Sequence, residues 1–104
     1  LRTVPTGPDY RLYALPGGPP QRPGLLRVAV GEGGAIETEV WALPPAAFGA
    51  FVAGIPAPLG IGTLRLADGT APKGFLVEAA GIVDAADITR FGGWRGYTAS
   101  RAAA

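Results

Sequence analysis

The chain has 104 residues, 48% apolar and 16% charged, with nine basic and eight acidic side chains and a formal net charge of +1. That length fits one domain able to bury a core, and a charge so near zero gives no electrostatic basis for binding nucleic acid or an acidic membrane. Histidine, cysteine, methionine and asparagine are absent and Ser100 is the single serine, which excludes Ser-His-Asp and Cys-His sites and a zinc site with nitrogen and sulfur ligands.

Tyr10–Leu15 (YRLYAL) reads as the first strand, bounded by Gly7-Pro8 and Pro16-Gly17-Gly18. Residues Pro16–Pro23 form a stiff loop poor in N–H donors. Leu25–Val30 is expected as a second strand, Gly31–Gly34 as a hairpin turn, and Ala35–Leu43 as a third strand with Ile36, Thr38 and Val40 on one face. Pro44-Pro45 then switches the period. Phe48, Phe51, Val52 and Ile55 fall on one stripe of a short helix, which predicts Phe51 buried against the sheet. Ile61–Ala67 and Lys73–Ala80 are expected as strands around an Asp68-Gly69 turn. Ala85–Arg90 is expected as a helical turn and Trp94–Arg101 as irregular or weakly helical. These elements give an α+β domain, a curved and largely antiparallel mixed sheet or small barrel with one or two short helices.

The longest uncharged stretch, Val40–Leu64, is interrupted by four prolines, so it is no membrane span. With no signal peptide pattern and no cysteine, a cytoplasmic location is expected. Neither a metal nor a cofactor is expected. Leu1 is not a start methionine, and the chain reads as a fragment of something longer.

The candidate site is Gly60-Ile61-Gly62 with Lys73. Two glycines around one isoleucine leave backbone groups uncovered where a strand begins, and the only lysine returns on the next strand. Bare amides and one ammonium suit a small carboxylate. The structural alternative is a tight bend that needs glycine equally, with Lys73 at a solvated strand end. Glu78 is a candidate general acid or base, against the commoner fate of facing water. Asp84 and Asp87 read as helix caps rather than an acid pair. Trp94 and Arg95 read either as a stack for a planar ligand or as a barrel plug beside a surface arginine. Tyr10 and Tyr13 point to opposite faces of their strand.

The segments YRLYALPG (10–17), EVWALPPAAFGAFVAGIPAPLGIGTL (39–64), KGFLVEAAG (73–81) and DITRFGGWRGY (87–97) cover most of the chain. In order and motif they resemble the gamma-glutamyl cyclotransferase-like fold, and within it the C-terminal domain of allophanate hydrolase. The resemblance implies one such domain over 1–104, lacking the family's first strand. It implies action on N-carboxyurea, a small urea-derived anion, broken down to carbon dioxide and ammonia after an amidase domain of the same polypeptide has worked. The Ser-Ser-Lys amidase machinery is not on this chain. A non-catalytic domain that positions the amidase or builds a homo-oligomer is the alternative. Cyclotransferase chemistry is a weaker one, because Val52 and Ile55 stand where that activity uses acids.

Overall fold

The computed structural model describes residues 2–18 and 20–103. Three antiparallel sheets pack around one core. A strand β1 (Arg2–Pro5), upstream of the first one expected, pairs with β4 (Glu37–Val40). Four residues ending in proline give little local signal, and this strand forms only through its distant partner. The second sheet has β2 (Tyr10–Ala14) at its centre, flanked by β3 (Pro23–Arg27) and β7 (Ala86–Asp87). Alternation along β2 follows the sequence: Tyr10, Leu12 and Ala14 are buried, whereas Arg11 and Tyr13 are half-buried. The third sheet pairs β5 (Leu59–Thr63) with β6 (Lys73–Val77).

Several expected boundaries are corrected. β3 begins earlier and stops at Arg27, since Val28 donates to Asp9 and Val30 is exposed. The turn expected at Gly31–Gly34 forms two residues earlier, at Ala29–Glu32, where the Glu32 amide donates to Ala29 at 3.0 Å, and the strands beside it pair elsewhere, β3 with β2 and β4 with β1. Gly34 instead donates to the Tyr10 carbonyl at 2.8 Å. β4 ends at Val40 because Trp41–Leu43 finds no strand partner. Ala86–Asp87 is strand rather than helical turn, followed by a 3-10 turn at Thr89–Phe91. Trp94–Ala103 is a regular helix, α2. Its aromatic side chains Trp94 and Tyr97 pack on the core with Phe91, which holds a helix that glycines 92, 93 and 96 obscure in the sequence.

The Asp68-Gly69 turn is tight as expected. Gly69 has φ +88°, and its amide donates to Leu66 at 3.1 Å. Beyond β5, Leu66 bridges to Thr6 and Ala67 donates to Pro5, so this segment ties the third sheet to the first. β3 lies beside β6 without ladder bonds. Gly24 permits the approach, since a Cβ there would fall 3.0 Å from that of Val77.

Helix α1 (Pro45–Ala53) begins behind Pro44 and closes at Gly54, where its prolines and glycine direct. Its stripe does not seal the core. No residue of α1 is buried and Phe51 is 52% exposed, meeting the Phe75 ring edge-on at 5.0 Å. The expected burial of Phe51 is therefore corrected: α1 stands across an open cleft, with only the edge of β6 to rest on.

A buried hydroxyl does more for stability here than the helix aromatic. Thr6→Val removes the acceptor for the Ile36 N–H inside the core and should cost about 1–3 kcal/mol. Phe51→Ala should cost about 1 kcal/mol, because only half of the ring leaves water. Urea denaturation of the two variants gives the ranking, and a costlier Phe51→Ala would contradict the exposed placement of α1.

Candidate functional site

The β5–β6 pair fixes where each candidate residue points. Glu78 donates to Pro58, Leu64 to Pro72 and Leu66 to Thr70. With Leu59 opposite Val77, these bonds set the ladder's phase, and Gly60–Leu76 and Gly62–Gly74 are hydrogen-bonded pairs. The two glycines thus direct their amides at β6, and the Ile61 amide is the one that faces away. Their Cα hydrogens share a face with buried Leu64 and Leu66. The Leu76 side chain covers Gly62, 2.6 Å from where a Cβ would stand, while the space over Gly60 is open.

The opposite face carries Ile61, Thr63, Lys73 and Phe75. Lys73 is exposed and its ammonium donates across the pair to the Thr63 hydroxyl at 2.6 Å. Ile61 and Lys73 line a cleft of about 1020 Å³. Its floor is the core surface of Leu12, Leu25, Ile36 and Leu64, and its walls are β4 with Trp41 and Leu43, α1, and β5–β6. Gly60, Gly62 and Glu78 lie outside its lining. Glu78 is exposed at the start of a 3-10 turn, Ala79–Ile82.

Four charged side chains line the cleft: Arg22, Glu37, Glu39 and Lys73. Glu39 is paired with Arg95 of α2, so Arg95 serves as a brace between helix and strand. The sequence reading missed Arg22, Glu37 and Glu39 as cleft residues. Alternation along β4 places both glutamates opposite the apolar face, but only the fold shows that β4 borders a cleft. Trp94 is half-buried, lines the cleft and packs 5.3 Å from Tyr97.

Asp87, expected as a helix cap, lies instead in β7. There it accepts the Thr89 N–H at 2.9 Å two residues on and pairs with Arg11, while the 3-10 turn is entered at Ile88 without a side-chain cap. Burial pushes the Asp87 carboxyl up, but Arg11 and Thr89 outweigh this and hold it below the ordinary range. Asp84 is exposed. Among the described residues no three acidic side chains gather closely enough to hold a metal ion, and no helix is long and apolar enough to cross a membrane.

The most perturbed carboxylate sits at the turn, remote from the cleft. The Thr70 hydroxyl and amide, with Arg2, hold Asp68 at about 2 against an ordinary 3.8. A carboxyl lowered on folding stabilises the native state above the ordinary value, and this contribution fades as pH falls toward the lowered one. The melting temperature of wild type should therefore drop more steeply between about pH 4 and pH 2 than that of Asp68→Asn. Parallel melting curves over that interval would contradict the assignment.

Comparisons with known proteins agree on one family. The family model described as the allophanate hydrolase C-terminal domain matches residues 1–99. Urea amidolyase of Saccharomyces cerevisiae is 44% identical over 100 residues, 93% of this chain and 5% of that protein. The structure of an allophanate hydrolase of Kluyveromyces lactis superposes with a TM-score of 0.91 at 42% identity, over 96% of this chain and 17% of that one. A protein described as specific to uropathogenic E. coli superposes with a TM-score of 0.84 at 37% identity, over 95% of this chain and 75% of that one. This chain thus spans only a small part of the enzymes that it resembles. The family model over residues 1–99 and relatives at 42–44% identity over most of the chain place it in the allophanate hydrolase C-terminal domain family.

Proposed function

We propose that the cleft receives the anion left by the amidase step of an allophanate hydrolase and promotes its decarboxylation. Allophanate is itself N-carboxyurea. Hydrolysis of its terminal amide releases ammonia and leaves one nitrogen bearing two carboxylates, so that dianion is the species this domain would receive. Protonation at nitrogen breaks one N–C bond, frees carbon dioxide and leaves carbamate, which repeats the step to give ammonia. A mostly apolar cleft suits this chemistry, because the carboxylates lose hydration on entry while neutral carbon dioxide does not need it. The observation that carries the reading is that Lys73 lines that cleft together with Ile61, their side chains on one face of β5–β6. Gly62 contributes by leaving room for the Leu76 side chain. The three sheets around one core, with α1 between β4 and β5, support the gamma-glutamyl cyclotransferase-like label for the fold.

Lys73→Ala in the intact protein should weaken binding of malonate, a stable dicarboxylate, by roughly 1–1.5 kcal/mol, an exposed ammonium being partly screened. Amide hydrolysis of allophanate should be unaffected. Calorimetry showing unchanged malonate affinity would remove Lys73 from the site.

A second reading rests on a different observation. Helix α1 has no buried residue, and Trp41 and Phe51 are 64% and 52% exposed beside it. Such a surface suits a domain that docks against the amidase region or a second copy, with no chemistry of its own. Either reading leaves no place for cyclotransferase activity, since residues 45–63 contain no carboxylate and Ile55 lines the cleft where an acid would be needed. The intact protein should release no 5-oxoproline from gamma-glutamyl amines, and robust turnover would overturn this exclusion.

A further inference from the structure

We propose that Arg22 is a second anion anchor of the cleft, gripping a carboxylate at the end opposite Lys73. The proposal rests on the reading that the cleft receives a carboxylate.

Most of the arginines are engaged within the domain. Six of the eight donate to partners within the domain: Arg2, Arg11, Arg27 and Arg95 to acidic side chains, Arg90 to the Asp87 carbonyl, and Arg101 to Gln21 and Tyr97. Arg22 and Arg65 make no side-chain hydrogen bond or ion pair among the described residues. Of these two, only Arg22 lines the cleft. It also lines a smaller neighbouring cleft of about 390 Å³, walled by Pro16, Pro20 and Pro56–Pro58, so Arg22 borders both.

The backbone at Arg22 is fixed while the head remains unengaged. Leu15 donates to its carbonyl at 2.9 Å, and the next residue, Pro23, opens β3 opposite Ala14. Arg22 lies near the Leu59 end of β5 and Lys73 pairs with the Thr63 end. The two ends are roughly 13 Å apart along the strand. Both cations have long flexible stems able to swing toward one another along the cleft, which suits a ligand with two carboxylates better than a ligand with one. Of the two β4 glutamates that line the cleft, Glu39 is paired with Arg95, and Glu37 has no ion-pair partner among the described residues. A guanidinium can grip one carboxylate with two parallel bonds, which the Lys73 ammonium cannot do.

The test titrates malonate into the intact protein by calorimetry, comparing wild type, Arg22→Gln, Arg22→Lys and Arg65→Gln. Arg22→Gln should raise the dissociation constant roughly tenfold, the loss of one charge-assisted contact. Arg22→Lys should raise it about threefold, because the charge stays and the fork is lost. Arg65→Gln, which removes an equal charge outside the cleft, should leave it unchanged. All variants should melt with wild type and hydrolyse the allophanate amide at its rate. An Arg22→Gln affinity equal to wild type, with Lys73→Ala still weakened, overturns Arg22 as an anchor and leaves the cleft reading standing. Equal losses in Arg22→Gln and Arg65→Gln reduce the effect to net charge and overturn it too. A wild type that binds no malonate removes the cleft reading first, and this inference with it.

Discussion

The structure depends on the corner between β1 and β2. Thr6 is fully buried: its amide donates to Ile36 at 2.8 Å, while its hydroxyl accepts the Ile36 amide at 3.0 Å and donates to Gly7. Tyr10 is also fully buried, and its hydroxyl accepts the Arg65 amide at 2.9 Å. Gly7 donates to Arg65, and Leu66 bridges Thr6. Through these few groups the first, second and third sheets meet. A buried hydroxyl that satisfies the backbone of the corner itself and of the segment entering β4 substitutes for the ladder that cannot run continuously around so tight a bend. Because the corner sets where β5 leaves the core, it also sets the mouth of the cleft.

The β5–β6 ladder then divides labour between alternate residues. Even-numbered positions from Gly60 to Leu66 spend their amides inside the pair and turn toward the core, so glycine is needed there for space: Leu76 occupies the room over Gly62, and Leu64 the room over Gly74. Odd-numbered positions turn their amides away from β6, and Ile61 among them lines the cleft, while Leu64 serves both the core and the cleft floor. Two long cations line the cleft, one rising from the ladder itself and the other from the start of β3.

What was legible in the sequence followed local rules. β2 alternates cleanly, α1 is bracketed by Pro44-Pro45 and Gly54, and the Asp68-Gly69 turn is written in its residue types, so all three are found where expected. The family was legible as well, because PLGIG, KGFL and FGGWR are specific combinations. What depended on distant partners was not. β1 exists only through β4, and β7 only through Tyr13 and Ala14. The Phe48–Ile55 stripe has the period of a core-facing helix, but periodicity says that a face is apolar without saying what covers it. The glycine amides were misjudged for a related reason, since composition shows where backbone is uncovered and only register shows which way it points. Arg22 carried no signal, being one arginine in a proline-rich loop until the fold set it beside Leu59.

The contact between β3 and β6 has a mechanical consequence. The strand pairs within each sheet are stitched by backbone hydrogen bonds, whereas β3 meets β6 through Gly24 seated against Val77. Side-chain contact without a ladder resists shear poorly, so thermal breathing of the domain concentrates along this seam. Arg22 and the smaller proline-walled cleft lie at its edge. A narrow opening there widens or narrows the passage beside Arg22 while the corner at Thr6 and Tyr10 stays closed, giving the domain one compliant side and one rigid one.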